Sequence, residues 1–135
     1  MTPELFWLCL TAVLAASLWI PFIVGVNAHP VKGQDNFLRP PDLTAYPEWM
    51  HRAHRAHLNL VEQAVPFALV VLVGHEVGVS STATVVAAAA FFWIRIAHAL
   101  GMISGVARMP VRPILFTAGW VCILVLFLEV LRLGL

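Results

Sequence analysis

Charge is what this sequence has least of. Only 11% of its 135 residues are Asp, Glu, Lys or Arg, and 61% are hydrophobic. A soluble domain sits nearer a quarter charged, so too few charges remain to build a wetted surface, and the chain reads as an integral membrane protein. The formal charge is +1. No basic patch of useful size exists, which excludes nucleic acid as a partner. Cysteine is scarce too. Cys9 and Cys122 each lie inside an apolar run, where a disulfide framework is not expected and a thiol carries little thiolate. Both read as small hydrophobes. No basic stretch precedes the first apolar run, because Met1–Glu4 lacks one. That run is therefore expected to be a retained helix rather than a cleaved leader. No internal repeat is visible.

What is present is four long apolar runs. They predict an all-α integral membrane fold, an up-down four-helix transmembrane bundle forming one domain over 1–135, with spans at about 5–28, 49–75, 81–104 and 111–132. Pro21 and Gly25 fall inside the first span and are tolerated there. The stretch from His29 to Trp49, with its prolines and alternating charges, is a loop. Ser80 or Ser81 is expected to cap the third span, and Gly105 and Pro110 punctuate the third loop. Ala87–Ala90 offer small residues for close helix approach. Lys32 and Arg39 lie in the first loop, Arg52 and Arg55 at the next helix mouth, and Arg108 and Arg112 in or after the third loop. The positive-inside rule places the first and third loops in the cytoplasm and both termini on the opposite side.

The second span carries a polar stripe. At about 100° per residue, Arg52, Arg55, Asn59, Glu62 and Pro66 fall within about 80° of one another. Glu62 lies at or below the headgroup level, where a lone carboxylate costs a few kcal/mol. It is expected to face the bundle interior or a neighbouring subunit, partnered by Arg55, Asn59 or another arginine. Pro66 removes the hydrogen bond to the carbonyl four residues back, that of Glu62. In the third span Arg95 and His98 stand at i,i+3 and at the same depth. Arg112 opens the fourth, where first-turn N–H groups favour an anion. His51, His54 and His57 read as interfacial rather than metal-ligating, because no Cys or carboxylate completes a tetrahedral set. Glu76 and Glu129 lie near the opposite surface, with no role assigned by the sequence.

"RAHRAHLNLVEQAVPF" (52–67), "RIAH" (95–98) and "RMPVR" (108–112) resemble the membrane-associated proteins in eicosanoid and glutathione metabolism, in order and spacing along nearly the whole chain. That resemblance implies a homotrimer in a membrane, with glutathione held between subunits near the cytoplasmic surface and used on a lipophilic small-molecule electrophile. By position, Asn59 and Glu62 would hold the tripeptide, with Arg52, Arg55, Arg95 and His98 in the same site. Arg112 would stabilise the thiolate.

The residue chemistry suits that ligand. Arginines match two carboxylates, Glu62 an amine, and Arg112 a thiolate. Phe91, Phe92 and Trp120 are expected along the electrophile's route through lipid. Leu58, Met102 and Pro113 depart from glutathione-using relatives that carry arginine, tyrosine and serine at the matching positions. The resemblance thus points to a bacterial-type member of an inner membrane. The competing reading is a non-catalytic trimer binding lipid or anionic headgroups at the same basic level.

Overall fold

The computed structural model describes residues 1–31 and 42–134; Lys32 and Arg39 lie outside the described residues. The described chain forms α1 (Pro3–Ser17), α2 (Ile20–Ala28), a 3-10 turn (Leu43–Ala45), α3 (Glu48–Glu76), α4 (Thr82–Ser104) and α5 (Val111–Gly134). Among the described residues four spans are long and apolar enough to cross a membrane: Pro3–Ala28, Glu48–Glu76, Thr82–Ser104 and Val111–Gly134. The protein is a multi-pass membrane four-helix bundle.

Local chemistry sets the helix limits. Thr2 caps α1, accepting the Leu5 N–H at 3.5 Å, and Pro3 occupies the first turn. Ser81 caps α4 in a reciprocal box with Thr84: Thr84 N–H donates to Ser81 Oγ at 3.2 Å, and Ser81 N–H to Thr84 Oγ1 at 2.8 Å. Gly105 ends α4 at φ 79°, the left-handed conformation that an L side chain resists. The first span differs from the single helix expected, because Leu18 and Trp19 interrupt it. Pro21 explains the break. It has no N–H for the Ser17 carbonyl, and its ring crowds that oxygen. Pro66, by contrast, lies inside an α3 that continues to Glu76.

α3 packs against α1, α4 and α5, while α4 and α5 share the largest interface. α2 rests on α3, where Gly25 lets Trp49 and Met50 approach so closely that an added Cβ would stand 2.7 Å from the indole. Two apolar clusters fill the bundle. One contains Phe67, Val71, Ala87, Ala88, Phe91 and Leu126, with Phe67 and Phe91 stacked at 4.1 Å. The other contains Leu18, Ala56, Leu60, Ala99 and Met102. Along α3 and α4, Gln63, Arg95 and His98 fall between the two clusters in sequence, so a polar layer interrupts the core.

Candidate functional site

Arg95 is fully buried, and so is His98 one turn later on the same face of α4. Arg95 Nη1 donates to Gln63 Oε1 at 3.2 Å, and Gln63 Nε2 donates to the Phe116 carbonyl at 2.9 Å. The Phe116 ring lies 5.9 Å from the Arg95 guanidinium carbon and 6.2 Å from the His98 ring, covering both. Arg95 Nε and Nη2 and both His98 ring nitrogens have no hydrogen-bond partner among the described residues. Burying a charge or polar group without a partner is expensive. Four such atoms in one layer leave the two arginine donors unmet, together with the donor and the acceptor of a neutral imidazole.

The other polar residues surround this layer without joining its hydrogen bonds. Asn59 is half-buried and donates to the Met102 sulfur at 3.5 Å, one turn beyond His98. Glu62 is exposed on the single chain, yet its charge acts on Arg95. Arg112 is half-buried, and its charge and that of Arg95 both act on His98. Arg52 and Arg108 turn to the end of α4 instead. Arg52 Nε donates to the Ile103 carbonyl at 3.3 Å and its Nη1 pairs with Glu48 at 3.4 Å, while Arg108 Nε donates to the Gly105 carbonyl at 3.3 Å. Cations at helix C-terminal carbonyls complement the dipole there. Arg55 is exposed.

The structure narrows one expectation to its second alternative and changes two others. Glu62 does not enter the interior of its own bundle. The buried face of α3 is Met50, Ala53, Ala56, Leu60, Gln63, Phe67, Val71 and Gly74, and Glu62 is one residue, about 100°, off it. The start of α5 is not a row of free N–H groups. Arg112 N–H donates to the Arg108 carbonyl at 3.0 Å, Ile114 N–H to the Pro110 carbonyl at 3.2 Å, and Pro113 between them has no N–H. Arg112 can therefore act only through its side chain. Phe91 is a core residue stacked on Phe67, whereas Trp120 is exposed and Phe92 half-buried. The histidines divide as well: His51 Nε2 meets the Tyr46 carbonyl at 3.1 Å, His54 lies 4.9 Å from the Phe22 ring, and His57 keeps a buried, unpartnered Nδ1.

Gln63 is the site residue that the charge-based reading overlooks. Its signal was available, since it is the one polar position in the apolar series 50, 53, 56, 60, 67, 71 and 74. A family model described as the MAPEG family matches residues 6–132. The chain belongs to the MAPEG family. That family includes glutathione transferases and peroxidases, which gives the unpaired nitrogens of this MAPEG chain a ligand class to be measured against. Among curated proteins none matches it. Of the MAPEG-like motifs, "RIAH" supplies the buried pair, "NLVE" the half-buried and exposed rim, and "RMPVR" one rim arginine and one helix-end arginine.

Proposed function

We propose that this protein is a membrane-embedded, glutathione-dependent transferase or peroxidase acting on lipophilic electrophiles. The observation that carries the reading is the desolvated Arg95–His98 pair, whose four unpartnered nitrogens lie within electrostatic reach of Glu62 and Arg112. Glutathione offers two carboxylates and an amine to such a set. Arg95 fits a carboxylate as a fork, Glu62 the amine, and Asn59 a peptide group.

Glutathione supplies the thiol nucleophile. The chain binds and orients it, keeps bulk water from the sulfur, and sets Arg112 beside it. A guanidinium there favours thiolate over thiol and so raises the reactive fraction at neutral pH. In conjugation the sulfur forms a bond to the electrophilic carbon as its leaving group departs, and the thiol proton is released to solvent.

Glu62 also supports a homotrimer. It is exposed on the single chain at membrane depth, beside Val61 and Val65, which are 38% and 55% exposed. A carboxylate facing acyl chains is costly. A neighbouring copy seated there completes the site between subunits. Loops one and three then face the cytoplasm of a bacterial inner membrane, with both termini opposite.

Conjugation of a generic aryl electrophile, measured on detergent-solubilised protein, tests the reading. Arg112→Ala lowers the rate about a hundredfold, the scale of removing one group that stabilises developing charge. Wild-type and variant rates both equal to the uncatalysed background reject it. That result favours a non-catalytic trimer gripping anionic headgroups, a reading which rests on the exposed Arg55 and Arg108.

A further inference from the structure

Gln63 is assigned no part in the reading above, although the polar layer is assembled around it. It is 5% exposed and has one hydrogen-bond partner at each end of its amide. The chemistry fixes which way that amide points. A guanidinium can only donate and a carbonyl can only accept, so Oε1 must face Arg95 and Nε2 must face Phe116. Glutamate could serve the first partner but not the second, and leucine neither.

Room for this amide comes from α5. A Cβ on Gly119 would stand 2.5 Å from Gln63 Oε1, while its next nearest neighbour, Arg95 Cδ, would be at an ordinary 3.5 Å. Any side chain at 119 therefore pushes first on the oxygen that holds Arg95.

The hold is on one end of the guanidinium. Gln63 occupies Nη1, and the two atoms without partners are Nε and Nη2. Those two N–H groups lie on the same side of the planar group and point in parallel, the arrangement that matches both oxygens of a carboxylate. The Phe116 ring lies 5.9 Å from the guanidinium carbon, and its carbonyl accepts from Gln63.

We propose that Gln63, seated in the notch left by Gly119, is the positioning residue that turns the Nε/Nη2 edge of Arg95 toward a carboxylate of the bound thiol peptide. It thereby makes the site select for that carboxylate. The proposal rests on the glutathione reading for its ligand, but not for the hold on Arg95.

Two measurements separate those parts. In ligand-free protein labelled with 15N-arginine, the Arg95 Nη1 and Nη2 signals, recognised by their loss in Arg95→Met, are resolved in wild type because rotation is hindered. They merge in Gln63→Leu. Signals that stay resolved in Gln63→Leu overturn the positioning role whatever the ligand does. For the ligand, affinities are measured for glutathione and for its two monoamides, one at the glycine carboxylate and one at the glutamate α-carboxylate. Wild type binds one monoamide about tenfold more weakly than glutathione, the worth of one charge-assisted hydrogen bond. In Gln63→Leu that ratio falls toward one, through loss of glutathione affinity rather than gain for the amide. Gly119→Ala shifts the ratio in the same direction and guards against misfolding of the first variant. Equal weakening of all three ligands overturns the selectivity claim and leaves only a structural amide. A wild type that binds none of them overturns the glutathione reading, while the nitrogen signals still decide the hold on Arg95.

Discussion

The two ends of the bundle handle buried polarity in opposite ways. At one end, Glu4 is 6% exposed, and its Oε1 accepts hydroxyl hydrogen bonds from Thr84 at 2.6 Å and Ser80 at 2.9 Å. Beside it Ser81 Oγ donates to Glu129 at 3.0 Å, and Arg132 pairs with Glu129 at 2.9 Å. Acidic groups thus gather at the start of α4, where the helix dipole favours them. Glu4 Oε2 has no partner among the described residues, and the cavity that Glu4 lines with Thr2, His75 and Thr84 holds about 10 Å³, roughly one water. The Arg95 layer has the reverse character, with one hydrogen bond from the guanidinium and four nitrogens unmet among the described residues. Polar groups that serve only to fix helices are paired within the chain. Polar groups left open in the core are kept at a cost to stability, and the proposed ligand-binding role offers a reason for that cost.

Three substitutions sharpen or break this contrast. Glu4→Ala has the largest effect on folding. It strips two hydroxyls of a charged acceptor and lowers unfolding free energy by about 3 kcal/mol, read from denaturation in micelles, with glutathione affinity per folded molecule unchanged. Arg95→Met does the opposite. Replacing an uncompensated buried charge by an apolar chain of similar length leaves stability level or raises it by about 1 kcal/mol, while stabilisation by glutathione disappears. A steep loss of stability in ligand-free Arg95→Met means that the layer is structural after all. Ser81→Ala is the smallest change, about 1 kcal/mol for a lost helix cap, visible as a modest drop in melting temperature with conjugation rate unaltered.

Much of this architecture is legible in the sequence because membrane burial makes helix length and capping chemistry almost the whole problem. The apolar runs, the Ser81 cap and the Gly105 stop are local signals, and each acts within a few residues of itself. Arg95 and His98 were also recoverable, since i,i+3 spacing on a helix is geometry that needs no partner. Two features are not legible there, for different reasons. Glu4 and Thr84 are 80 positions apart, and their pairing exists only once α1 lies against α4. Gln63 was hidden by its neighbour. The charges mark the Glu62 face, whereas the apolar register of α3 puts residue 63 inward. Hydrophobic spacing, taken ahead of charge, points to residue 63.

The interruption at Leu18–Trp19 has a consequence for movement. An unbroken first span would transmit any tilt from one surface of the bilayer to the other. Here the span is two levers joined at mid-depth. The N-terminal one is anchored to α4 through Glu4, and the other leans on α3 through Gly25. The two halves of the first span are therefore held to different helices, so a substitution that loosens one contact leaves the other in place.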